Sequence, residues 1–196
     1  METLIKETSQ TDTPNTAEKH EHLRAILDIV ETILLAVVMF IGINAISARV
    51  RVDGRSMVPT LKHNEFVLVS RIAYKFWEPN RGDIVVFHYP YDPTQDYIKR
   101  IIGIPGDTVK IQSGKVTVNG TILEEPYIAE DPAYEGTWSV HPDTLFVLGD
   151  NRNDSSDGHI WGLLPFKNVI GKAIFIYWPF TEFNLIDHFP LAVATP

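Results

Sequence analysis

The sequence contains no cysteine. That absence excludes disulfides, thiolate metal sites and a cysteine nucleophile together. A basic excess is missing too: 17 lysines and arginines stand against 25 acids, for a formal charge of −8. A sequence-independent nucleic-acid binder needs a basic face, so nucleic acid is set aside as a partner. There is no internal repeat, no low-complexity tract, no βαβ alternation and no G-x-S-x-G elbow. Long apolar runs are absent as well, with one exception near the N-terminus.

What remains is a chain of 196 residues, 44% hydrophobic and 11% aromatic, enough for one packed domain and an anchor. Residues 1–25 are polar and lack apolar periodicity, which predicts a disordered tail, cytoplasmic once the anchor is placed. Residues 26–46, "ILDIVETILLAVVMFIGINAI", are long enough for about 30 Å of helix and predict a transmembrane span. Asp28 and Glu31 interrupt the run only near its start. A secretory signal peptide would carry a basic start; here Glu2, Glu7, Asp12, Glu18 and Glu21 outnumber Lys6, Lys19 and Arg24. The basic residues flanking the span are Lys19 and Arg24 before it, and Arg49, Arg51, Arg55 and Lys62 after it. Taken alone, that count puts the C-terminal part in the cytoplasm.

From residue 47 to 180 the texture changes to short β-branched and aromatic runs between turn residues, which predicts an all-β domain. "FVLVS", "DIVVFHY", "YIKRIIGI", "TVKI", "KVTV", "TILEE", "TLFVL" and "NVIGKAIFIYW" are the expected strands. Asn119-Gly120 between two of them is a type I′ hairpin signal. Residues 108–143 form a small insert or cap, 124–138 an irregular loop, and 181–196 a C-terminal tail without clear period.

Three stretches concentrate chemistry. "VDGRSMVPTL" follows the apolar run closely and offers Ser56, which needs a base before it can act as a nucleophile. The seven histidines are scattered, with His88 and His141 at strand edges. A lysine can serve if burial keeps its amine neutral. "DYIKRIIGIPGD" sets Lys99 and Arg100 among isoleucines, and strand alternation sends them to opposite faces, so one charge has to meet the interior or a cleft. "GDNRNDSSDGHIWGLLP" packs polar residues into one loop after an apolar strand. A calcium loop would need D-x-D-x-D-G spacing and a closing glutamate, and has neither here.

In that order, "SMVPTL", "RGDIVVF", "YIKRIIGIPGD" and "GDNRNDSSDG" resemble the type I signal peptidases, over about residues 26–178. These are membrane-anchored Ser/Lys proteases, and D-G-x-S-M resembles their single-anchor branch. The resemblance implies an all-β catalytic domain behind one transmembrane helix. It implies Ser56 as nucleophile, Lys99 as general base, Ser155 as the hydroxyl orienting Lys99, and an Arg100–Asp150 pair behind the site. It implies cleavage of preprotein signal peptides after small residues at the surface of a lipid bilayer, with no metal and no cofactor. It also implies that the catalytic domain lies on the outer face of the plasma membrane, against the basic-residue count. Val52, Met57, Leu61, Tyr97 and Ile98 are the expected walls of shallow pockets for small side chains. No feature of the sequence specifies an oligomeric state.

Two departures stand out. Where many relatives carry a serine whose hydroxyl helps bind the oxyanion, this chain has Gly54. Where the family reads D-S-R, this chain reads Asp157-Gly158-His159, replacing an Asp–Arg pair by Asp–His. Two other classes fit less well. A self-cleaving repressor needs a DNA-binding domain in place of the anchor, and a non-catalytic anchored domain has no use for Ser56, Lys99 and Ser155 together.

Overall fold

The computed structural model describes residues 16–190. The chain divides into two units, one up to Asn44 and one from Ala45 onward.

The described part of the first unit is helical: it belongs to helix α1, Thr16–Ile46, whose last two residues fall in the second unit. Its stretch His20–Ile46 is apolar and long enough to cross a membrane, 27 residues or about 40 Å of helix. The helix starts ten residues ahead of the expected Ile26, which corrects the disordered stretch for residues 16–25. Ala17, Glu18, Lys19, Glu21, Leu23, Arg24 and Ala25 are good helix formers with no glycine or proline among them, so nothing stops the helix at the apolar boundary. The disorder expected for residues 1–15 lies outside the described residues.

The second unit is built of strands. The first four are β1 (Ser47–Arg51), β2 (Phe66–Ser70), β3 (Ile84–Tyr89) and β4 (Asp92–Gly103). Then come β5 (Thr108–Gln112), β6 (Lys115–Val118), β7 (Thr121–Ile122) and β8 (Gly136–Ser139). The last four are β9 (Thr144–Leu148), β10 (Leu164–Pro165), β11 (Val169–Trp178) and β12 (Asn184–Leu185). Two one-turn α-helices, α2 (Ala73–Phe76) and α3 (Gly158–Trp161), and two 3-10 turns, Phe166–Asn168 and Phe180–Glu182, complete it.

The large sheet runs β1-β2-β11-β3-β4-β9-β10, with β12 added on β11. It is buried on both faces at its centre. Val67, Val69, Ile84, Val86 and Ile98 pack on one side, while Val85, Phe87, Ile101, Leu145 and Val147 pack on the other. Two-sided burial explains why β3 reads "IVVF" without alternation. The small sheet, β7-β6-β5-β8, lies within the expected insert. One face of it is buried, so β5 alternates between exposed and buried positions. Asn119 and Gly120 both take positive φ, 53° and 81°, as the two-residue hairpin turn requires.

Three expectations need correction. β1 was absent from the expected strands, because "SARVR" is short and partly polar; it forms by pairing along β2 from Ser47↔Ser70 to Arg51↔Phe66. β8 lies inside the stretch expected to be irregular; its "GTWS" carries little local preference and is held by its partner β5. The C-terminal stretch is not a loose tail up to Pro190. β12 pairs with β11, Ile186 donates its N–H to Ile174 O at 2.9 Å, and Ile186 joins the core.

Candidate active site

Ser56 sits in the loop between β1 and β2. The loop is closed at its base by Val52 N–H to Glu65 O (2.8 Å) and Asn64 N–H to Val52 O (2.9 Å). Beyond that closure Gly54 adopts φ +97°, a conformation that L side chains avoid. A tight turn follows, with Val58 N–H on Arg55 O (3.1 Å) and Leu61 N–H on Met57 O (2.8 Å). Met57 and Leu61 bury completely and pin this turn to the core, which leaves the neighbouring Ser56 facing outward, half-buried.

Lys99 comes from β4, an interior strand between β3 and β9. β9 pairs with β4 from Arg100 onward, so on that side the strand ahead of Arg100 has no β9 partner. There the Lys99 ammonium reaches Ser56 Oγ at 2.7 Å and the carbonyl of its neighbour Ile98 at 3.0 Å. Lys99 is only 4% exposed. Burial lowers its pKa from 10.5 to about 8, against the opposing pull of the Asp157 and Asp150 carboxylates. An amine so tuned is neutral often enough near that pH to accept a proton from a hydroxyl 2.7 Å away.

Arg100 points to the opposite face and is buried as well, so both charges enter the interior, where alternation had required only one. Its Nε and Nη2 grip Asp150 at 2.8 and 2.7 Å, Nη1 donates to Gly82 O at 2.9 Å, and the guanidinium lies 4.0 Å from the Tyr127 ring centre. This bidentate pair is completely enclosed. An enclosed pair of charges is tolerable because nearly every donor finds an acceptor.

The loop after β9 fastens these parts together. Asn151 donates from its backbone to Ser56 O (3.0 Å) and from its side chain to Arg55 O (3.2 Å), tying the Ser56 turn to the loop. A Cβ at position 149 would collide with Ser155 Oγ and Ser56 O, so the close approach requires glycine. Asp157 is fully buried and accepts three bonds: Gly149 N–H (2.8 Å), His159 N–H (3.1 Å) and His159 Nδ1 (2.7 Å). The His159 ring stacks on Tyr134 with centres 3.8 Å apart. Among the described residues no three His, Asp or Glu side chains gather as a metal site.

Comparison with known proteins places the chain in a family. The family described as signal peptidase, peptidase S26, matches residues 26–178. A signal peptidase I of Leptolyngbya laminosa is 43% identical over 163 residues, 79% of this chain and 80% of that protein. The chain belongs to the S26 signal peptidase family. A probable signal peptidase I-2 of Synechocystis is 42% identical over 168 residues, 82% of this chain and 77% of its own. A crystal structure of a signal peptidase I from Enterococcus faecalis aligns over 49% of this chain and 97% of that one, at 32% identity and a TM-score of 0.46. This is a serine peptidase of the class that removes signal peptides.

Against the expectations drawn for such a peptidase, the structure brings Ser56, Lys99, Arg100, Asp150, Asp157 and Gly54 into one neighbourhood. Ser155 is there too, but it does not make the bond expected of it. Its Oγ is buried and unpaired, while Lys99 spends its donors on Ser56 and Ile98. The wall residues divide. Tyr97 and Ile98 line the cleft of about 500 Å³ beside Ser56 and Lys99. Val52, Met57 and Leu61 do not; they are core residues whose burial shapes the turn. Val50, Gln95, Asp96 and Ser156 line the cleft in their place. Sequence reasoning also missed Tyr127 and the buried Arg152–Glu125 pair, bonded at 2.7 and 2.6 Å. Tyr127 and Glu125 lie in a stretch with no strand period, so no local signal marked them.

Proposed function

We propose that this S26 peptidase cleaves signal peptides with Ser56 as nucleophile and Lys99 as general base. The observation that carries the reading is the 2.7 Å contact between Lys99 Nζ and Ser56 Oγ at a buried amine. Neutral Lys99 accepts the Ser56 hydroxyl proton as Oγ attacks the scissile carbonyl carbon. The Ser56 backbone N–H stabilises the oxyanion that forms. The lysine then returns its proton to the departing amine, leaving an acyl-enzyme on Ser56. Water, deprotonated by the same amine, releases the signal peptide and regenerates the hydroxyl.

Ser155 takes the role of the hydroxyl that steadies Lys99 once substrate displaces solvent. Its buried, unpaired Oγ supports that reading, since such a group gains by finding a partner. The half-exposed cleft beside Tyr97 and Ile98 fits small side chains ahead of the cut, in the A-x-A manner. The helix His20–Ile46 serves as anchor, with the N-terminus in the cytoplasm and the β domain on the outer face of the cell membrane. A preprotein presents its cleavage site there, after translocation. This placement goes against Arg49, Arg51, Arg55 and Lys62, which follow the helix.

The test is cleavage of a purified preprotein by full-length enzyme in detergent, wild type against Ser56→Ala. Loss of processing in the variant with its melting temperature kept supports the assignment; retained processing overturns it. Protease added to spheroplasts tests the orientation. Digestion of the β domain supports it, and protection of that domain refutes it.

A further inference from the structure

Gly54 stands where the signal peptidase pattern often places a hydroxyl, and its backbone N–H is already engaged. It donates to Nδ1 of His63 at 3.1 Å, across the loop that carries Ser56. Only a neutral imidazole protonated on Nε2 can accept there. The Asp53 carboxylate lies 3.4 Å from the same nitrogen. A second proton therefore forces a choice. Nδ1 becomes a donor, the bond to Gly54 is lost, and the ring turns to Asp53.

The other charges of this loop are occupied. Arg51 Nε is bonded to Asn64 Oδ1 at 3.0 Å, Arg55 pairs with Asp154 at 3.2 Å, Lys62 pairs with Glu182 at 3.0 Å, and Glu65 accepts the Lys62 N–H at 2.9 Å. Asp53 is thus the charged group that faces the ring. The His63 side chain is 46% exposed, so protons reach it from solvent. Asp53, Gly54 and Arg55 line the cleft together with Ser56. Nothing lies within 4 Å of where a Gly54 Cβ would be, so no packed neighbour holds this residue from that side. At φ +97° a glycine has wide backbone freedom. The cross-loop bond restricts it at the Gly54 N–H itself.

We propose that His63 is a positioning residue for this peptidase: neutral, it holds the Gly54 N–H and fixes the cleft wall at Gly54, two residues ahead of the nucleophile; protonated, it turns to Asp53 and releases Gly54. The inference rests on the assignment of Ser56 as nucleophile. It makes the enzyme sensitive to two protonations, one at Lys99 and one at His63.

The experiment is the pH dependence of kcat/KM of the full-length enzyme in detergent, with melting temperatures measured alongside. Asn at position 63 places a carbonyl oxygen close to where Nδ1 lies and cannot be protonated; Leu offers no acceptor. In wild type the acid limb should drop below that of His63→Asn by up to about tenfold. His63→Asn should keep the alkaline plateau and fall with a slope of about one. His63→Leu should lose about tenfold on the plateau. A second readout needs no catalysis: the Gly54 amide resonance of wild type should shift with pH, and in His63→Asn it should not. Superimposable acid limbs of wild type and His63→Asn, an Asn variant as impaired as the Leu variant, or a Gly54 amide indifferent to pH overturns the proposal. Activity of Ser56→Ala in the same assay would instead sink the underlying assignment, while the amide readout would still report on the His63–Gly54 bond.

Discussion

Lys99 Nζ lies 2.7 Å from Ser56 Oγ, although 43 positions separate the two residues in the chain. One comes from an interior strand and the other from a turn pinned by Met57 and Leu61. Their meeting depends on the register of the large sheet and on the loop that closes behind it.

If Lys99 is the base, activity should rise with pH through about 8, because the protonated amine cannot accept the serine proton. Lys99→Arg should lose at least about a thousandfold in kcat, since a guanidinium stays charged throughout this range. Steady-state kinetics from pH 6 to 10 provide the check. An active arginine variant would move the base elsewhere.

The same burial costs stability. The folded-state pKa of Lys99 is about 8, below its ordinary 10.5, so between those values the unfolded chain binds more protons than the folded one. Stability therefore rises with pH through that window, and the penalty is fully present below about 8. Lys99→Met should unfold about 3 kcal/mol harder than wild type at pH 7, with the gap closing above the upper end of the window. Denaturant melts at pH 7 and pH 11 measure it. A variant no more stable at pH 7 would contradict the desolvation argument.

Arg100 and Asp150 form a completely enclosed pair. Arg100→Met leaves a buried carboxylate unmatched and should destabilise the domain by about 3–5 kcal/mol. Replacing both partners with apolar residues should recover most of that loss. Unfolding midpoints of the two single variants and the double variant decide it, with additivity as the unfavourable result.

His159 should matter through Asp157, which in turn holds Gly149. His159→Arg can still donate to the carboxylate and should retain activity within about threefold. His159→Ala removes that donor and the Tyr134 stack, and should cost about tenfold or more in kcat/KM. Equal, wild-type rates in both variants would make the contact incidental.

Much of this protein was readable from local pattern. The N-terminal span candidate shows as a long apolar stretch, because a bilayer sets a length that a crossing helix must match. The strands of the small sheet show as alternation, since one face meets the core and the other meets water. Asn119-Gly120 shows as a hairpin because few residue pairs accept two positive φ angles. Ser56, Lys99 and the Asp150–Asp157 loop were marked by their motifs, and those positions do converge.

Tertiary structure decided the rest. Val52, Met57 and Leu61 look like pocket walls by their nearness to Ser56, yet the turn directs them into the core. Ser155 has the right chemistry, but its hydroxyl lies against Gly149 without a hydrogen-bond partner and misses the lysine. β8, β12, Tyr127 and the His63–Gly54 bond carry no periodic signal, because each is held by a partner distant in the chain or across a loop. Local sequence marks the elements whose periodicity and turn preference act over a few residues. Which side chains then meet depends on strand register, and a shift of one residue would exchange the faces of Lys99 and Arg100.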